Sequence, residues 1–313
     1  MDVTTIFLFF IYAFGLGFTL TSILKIKTKD FYEKIIMDIG FGLALLAVLI
    51  ALIPLLRIPL DWKIILILSL AYPLYYLGRN FRHITQTLKS KEFHLRLKPT
   101  LSFFLLILIF GFTFFMYHQG AFSYPYLEND DPWDHAITIK YIAIEKTIYE
   151  PSVDSYLFNY LDARPPAYDG TMAILHQTSP NLMWTMKFFN VLIISLGILF
   201  FFYFARRLFG GSSNKALLAT FFLAMSPTYL THFIWSHALV MTLIFVGLYS
   251  FLKINEKWNL RILAMVAISS VFLTQETESM KYIIILGLFL LATSIVRRKA
   301  DWSGLITIAG SGI

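Results

Sequence analysis

The chain has 313 residues, of which 58% are hydrophobic, 17% aromatic and only 14% charged, with a net charge of +7 and a mean hydropathy of +0.68. So much apolar surface exceeds what a water-soluble core can hide, so a soluble globular protein is excluded and the solvent is lipid. The absence of cysteine excludes disulfides, zinc–thiolate sites and thiol nucleophiles, and the basic excess is what cytoplasmic loops of a multispanning protein carry, so it implies no nucleic-acid partner.

In chain order, apolar runs near residues 4 to 24, 36 to 56, 63 to 78, 99 to 117, 181 to 205, 216 to 232, 236 to 252, 262 to 275 and 280 to 296 predict about nine transmembrane helices. The first has neither a basic leader nor a small-residue cleavage site and reads as a retained span. Lys25, Lys27, Lys29 and Lys34 follow it, Arg79 to Lys98 follow the third, Arg206, Arg207 and Lys215 the fifth, and Lys253, Lys257 and Arg261 the seventh. Arg297, Arg298 and Lys299 close the ninth. Basic loops stay in the cytoplasm, so the N-terminus and the acidic loop 118–180 are expected on the non-cytoplasmic side of the cell membrane. The apolar run from Ser303 to Ile313 begins a further segment, and the chain is expected to be truncated there. Few charges fall mid-span, which speaks against a proton or ion pathway.

Within the outward loop, four carboxylates, Glu128, Asp130, Asp131 and Asp134, fall in seven residues. Behind them, Ile137, Tyr141, Ile144 and Ile148 share a helical face, which predicts an interfacial helix. Asp131 suits the N-cap of that helix, with Pro132 at its first position. It equally suits a carboxylate that takes a proton from an acceptor hydroxyl or holds a divalent cation at the positive helix end.

Asp131-Pro132-Trp133 before an interfacial helix resembles the entry motif of GT-C glycosyltransferases, in the form found in oligosaccharyltransferase catalytic subunits. Arg164-Pro165-Pro166-Ala167-Tyr168 is similar to the Pro-Pro segment these enzymes place before a short helix. Phe204-Ala205-Arg206-Arg207-Leu208-Phe209-Gly210, Ala224-Met225-Ser226-Pro227-Thr228-Tyr229, the apolar run from His237 to Lys253, and Leu273-Thr274-Gln275 follow in the family's order. The resemblance spans residues 118 to 296. It implies an all-α polytopic fold with a GT-C-like core over 99–296, an N-terminal extension of three spans over 1–98, and 297–313 as the start of the further segment.

It also implies a polyprenyl-phosphate sugar donor, with Asp131 as base or metal ligand and Asp130 assisting. A cation there would be Mg or Mn. Arg164 and Lys281 are the outward cations suited to the leaving phosphate, or else snorkel to lipid headgroups. His232 and His237, across an outward turn, are candidates to orient phosphate or ligate a metal, and Glu276 and Glu278, at an outward helix start, to assist a sugar hydroxyl or a cation, although solvated interfacial residues look the same. Trp133, Trp235 and Tyr168 are candidates to stack on a sugar, or else belong to the aromatic belt. The second acidic pair of oligosaccharyltransferases is replaced here by Thr231-His232-Phe233-Ile234-Trp235-Ser236-His237, and no Trp-Trp-Asp motif occurs. The expected enzyme is therefore a hexosyl- or pentosyltransferase acting on a lipid-linked or polymer acceptor. The alternatives are oligosaccharyltransferase-like protein glycosylation, or a transporter or flippase of lipid-linked saccharide.

Overall fold

The computed structural model describes residues 2–28, 30–89, 100–149, 164–226, 229 and 233–312, with 82–89 described by backbone alone. Among them there are twelve helices and no strand: α1 (Val3–Ile23), α2 (Phe31–Leu55), α3 (Trp62–Lys89), α4 (Leu101–Phe122), α5 (Asp130–Glu145), α6 (Ala167–His176), α7 (Leu182–Leu208), α8 (Ser213–Ala224), α9 (His237–Phe251), α10 (Trp258–Phe272), α11 (Glu276–Arg297) and α12 (Trp302–Ala309). Helices stand at all nine places where the apolar runs predict spans. Six of them, α1, α2, α3 over Trp62–Phe81, α4, α7 and α11, are long and apolar enough to cross a bilayer. The other three are shorter. α9 and α10 have 15 residues each, about 22 Å of helix against roughly 30 Å of hydrocarbon, and α8 has 12.

The spanning window of α7 is 89% buried, whereas those of α3, α4 and α11 are 11%, 17% and 22% buried, so α7 is the axis and the other three face lipid. α7 packs against α4, α8 and α9, and α2 packs against α1, α6, α9 and α10. Ile284, Leu288, Leu291 and Ile295 form an exposed stripe along α11 at three- and four-residue spacing, an apolar face that only lipid or another apolar partner leaves comfortable.

The seam between α1 and α2 is backbone on backbone. A Cβ on Gly17 would lie 1.7 Å from the Asp38 carbonyl oxygen, and one on Gly42 would lie 1.6 Å from that of Ala13. Small residues four apart on α1, Ala13 and Gly17, with Gly42 of α2 opposite them, permit this approach. Asp38, buried beside the seam, accepts from Thr21 Oγ1 at 2.8 Å and from Lys34 Nζ at 2.8 Å.

α5 is held at its C-terminal end. Lys146 caps it in the left-handed region at φ 57, its carbonyl accepts from Leu60 N at 2.7 Å, and its ammonium reaches Asp61 at 2.5 Å. Gln177, at the C-cap of α6, bonds Trp62 N and Leu60 O. One face of α5 buries His135, Ala136, Ile139 and Ile142, while Ile137 and Ile144 of the face read from the sequence are exposed. An amphipathic helix lying at the membrane surface has this arrangement.

Candidate active site

The N-terminus of α5 is capped by Asn129, whose side chain accepts from Asp131 N at 3.1 Å. Asp131 is therefore not the cap that its position before Pro132 suggests. Pro132 sits third in the helix, where its missing N–H removes no bond, because the first four amides of a helix have no intrahelical acceptor. The change frees the Asp131 carboxylate, which makes no hydrogen bond or ion pair among the described residues. Asp131, Asp134 and His135 share a face of α5 by their three- and four-residue spacing.

His135 is buried, and its Nδ1 lies 2.7 Å from Asp169 Oδ1, also buried. With Asp169 accepting from Nδ1–H, the lone pair of the imidazole sits on Nε2. Asp169 is in the first turn of α6, the short helix expected after the Pro-Pro segment. Tyr168 packs its ring edgewise on His135 at 5.0 Å and donates to Asn190 Oδ1 on α7 at 3.0 Å, and Asn190 Nδ2 donates in turn to Phe233 O at 3.0 Å. Tyr168 is 1% exposed. The structure thus places it behind the site, supporting His135 from the core, and not on an open face for a sugar.

Across from this pair, His237 begins α9. Its Nε2 is 3.4 Å from Glu278 Oε1, the same oxygen that Lys281 Nζ reaches at 2.5 Å. The Trp235 ring packs on the His237 ring at 4.0 Å. His237 Nδ1 and Trp235 Nε1 are both buried without a partner among the described residues. Each such polar atom costs about 1–3 kcal/mol unless a ligand or water satisfies it. Burial holds the His237 imidazole below its ordinary range; the Glu278 carboxylate opposes this, and Lys281 and His135 add to it. The turn into α11 is fixed by Gln275, whose Oε1 caps the helix by accepting from Glu278 N, and by Ala167 N donating to Leu273 O, which ties this turn to the start of α6.

These pieces meet at a cavity of about 260 Å³. α5 and the segment before α6 supply Asp131, His135 and Arg164, and the start of α9 and the turn into α11 supply Trp235, His237, Gln275 and Glu276. Arg164 Nη2 lies 4.0 Å from Asp134 Oδ2, both well exposed. Of the residues expected from the sequence, Asp131, Arg164, Trp235, His237 and Glu276 come together here, with Glu278 and Lys281 behind His237. Asp130 and Trp133 are exposed and do not line the cavity. His232 lies outside the described residues. Among the described residues no three His, Cys, Asp or Glu side chains are grouped as metal ligands, and Asp131 and Glu276 are the carboxylates among the described cavity-lining residues. The His135–Asp169 pair is the main feature that sequence reading underrated. Its one sequence signal is that His135 falls on the face of Asp131, and nothing in a single sequence links it to Asp169.

The described residues thus form an all-helical bundle with several helices long and apolar enough to cross a membrane, and a carboxylate, a carboxylate-bound imidazole and an arginine around one cavity. Residues 163–310, just under half of the chain, match the family model described as dolichyl-phosphate-mannose-protein mannosyltransferase, which bears out the GT-C resemblance. The matched stretch includes Arg164, Asp169, His237 and the turn into α11, and begins after Asp130 and Asp131. No curated protein and no solved structure matches the chain.

Proposed function

We propose that this chain transfers a sugar from a polyprenyl-phosphate donor to a hydroxyl of a lipid-linked or polymer acceptor, on the non-cytoplasmic face, with Asp131 as general base. The observation that carries this reading is the Asp131 carboxylate itself, relieved of capping by Asn129, without a protein partner among the described residues, and lining a cavity with His135 and Arg164. In the step, Asp131 takes the proton of the acceptor hydroxyl, and the acceptor oxygen bonds the anomeric carbon. The bond from that carbon to the phosphate oxygen breaks, and the phosphate leaves with the electron pair. Arg164 supplies N–H donors to the leaving phosphate. The unpartnered His237 Nδ1 and Trp235 Nε1 suit one donor and one acceptor group on the sugar. His135, oriented by Asp169, holds its Nε2 ready to accept from a second hydroxyl.

Purified protein with Asp131→Asn is expected to lose about 100-fold or more of sugar transfer from a panel of polyprenyl-phosphate sugars, the scale of a lost general base. His135→Gln, which keeps Asp131, is expected to lose less. Unchanged turnover of Asp131→Asn at unchanged melting temperature would remove the proposed base. The matched family is described as acting on protein, which favours a protein hydroxyl as second reading. Offering a Ser/Thr-rich peptide beside a polyprenyl-linked saccharide in the same assay separates the two acceptors.

A further inference from the structure

At the other end of α9, roughly 24 Å along the helix from His237, a larger cavity of about 540 Å³ opens between the α1–α2 connection and the C-terminal ends of α7 and α9. Its charged lining is four cations, Lys27, Arg206, Arg207 and Lys253, against two carboxylates, Asp30 and Glu33.

Both carboxylates are already committed. Asp30 caps α2 through Tyr32 N at 3.0 Å and takes Arg206 Nη1 at 2.7 Å. Glu33 accepts from the Tyr249 hydroxyl at 2.6 Å and faces Arg207 Nη2 at 3.6 Å, while the Arg207 guanidinium lies 3.4 Å over the Tyr249 ring. What remains is donors. Lys27 makes no ion pair among the described residues, and Lys253 meets only the exposed Glu256 at 3.1 Å. Arg206 spends Nη1 alone on its partners, leaving Nε and Nη2. Thr28 Oγ1, also in the lining, is buried with no partner.

The cavity thus has an excess of two cations and spare donors around an open volume. Gly210 and Gly211, at φ 64 and 93, turn the chain sharply after Arg206 and Arg207 at the point where α7, a spanning helix, leaves the bilayer. That is headgroup depth, and basic pockets between spanning helices recognise phosphorylated headgroups.

We propose that this cavity binds the phosphate of an anionic lipid headgroup from the leaflet at the basic end of the bundle, at a place separate from the glycosyl-transfer cavity and independent of that reading. The test uses the full chain in neutral detergent, with native mass spectrometry counting retained lipid. Phosphatidic acid is expected to be retained roughly tenfold over phosphatidylcholine, and to be displaced by inorganic phosphate. The double substitution Lys27→Gln/Lys253→Gln is expected to remove most of that preference, on the scale of about tenfold for two headgroup-facing lysines, without altering phosphatidylcholine retention or melting temperature. Lys257→Gln/Lys299→Gln, exposed basic residues outside the cavity, are expected to leave it intact. Equal retention of the two lipids, or equal loss from both double variants, would overturn the proposal. Stabilisation by inorganic phosphate without any preference for phosphatidic acid would overturn its lipid source and assign the cavity to a soluble phosphate.

Discussion

His237 is the residue whose protonation the fold controls most visibly at the site. Its Nε2 faces Glu278 and its Nδ1 is buried without a partner, and burial disfavours the imidazolium. A folded imidazole that binds its proton less tightly than the unfolded one makes acid favour unfolding. The stabilising contribution is whole above the unfolded value near pH 6.5 and is lost as pH falls through the lower folded value. Wild-type protein is therefore expected to lose more melting temperature between about pH 7.5 and about pH 5.5 than His237→Gln does; equal losses would mean His237 is freely solvated. The candidate site was legible at this scale only in part. Asp131, Arg164, His237 and Glu276 carry signals in their own neighbourhoods: acidic density, a Pro-Pro segment, helix starts. The capping role of Asn129 was hidden because Pro132 is as comfortable at the third helical position as at the first. Tyr168 looked like a sugar platform because residue type and loop position say nothing about which way a short helix turns its faces.

Among elements, the seam of α1 and α2 tolerates no side chain at Gly42, because the atom in the way is the Ala13 carbonyl oxygen at 1.6 Å and backbone cannot rotate aside. Gly42→Leu is expected to cost more than about 3 kcal/mol and to abolish a monodisperse fold in detergent. Gly111→Ala on α4, where a Cβ meets nothing within 4 Å, is expected to be neutral or to stabilise by up to about 1 kcal/mol by removing chain entropy. Similar behaviour of the two in size-exclusion and melting assays would mean the seam is looser than it is drawn. The positions of the helices were readable because hydrocarbon demands long apolar runs and leaves charged residues at their ends. Their lengths were less so. α8, α9 and α10 read as spans from apolarity alone; α8 stops at Ala224, well before the end of its apolar run, whereas α9 and α10 keep close to the lengths their runs predict, and burial inside the bundle makes a short helix as apolar as a crossing one.

At the level of the whole molecule, charge and cavity are segregated along α7 and α9. One end holds Asp131 and Glu276 at the smaller cavity with Glu278 behind His237, and the other holds Lys27, Arg206, Arg207 and Lys253 at the larger. The positive-inside rule is the ground for expecting the second end in the cytoplasm, and the proposed transfer on the non-cytoplasmic face rests on that orientation of Asp131. Because the chain has no cysteine, single introduced cysteines report sidedness without background. Asp130→Cys, exposed at the start of α5 and away from the cavity lining, is expected to react with a membrane-impermeant maleimide on intact cells. Lys257→Cys, exposed beside α10 at the basic end, is expected to react only after permeabilisation. The reverse pattern would place the acidic end in the cytosol, where a donor facing outward never arrives, and sugar transfer on the non-cytoplasmic face would have to be given up even if Asp131 proved essential.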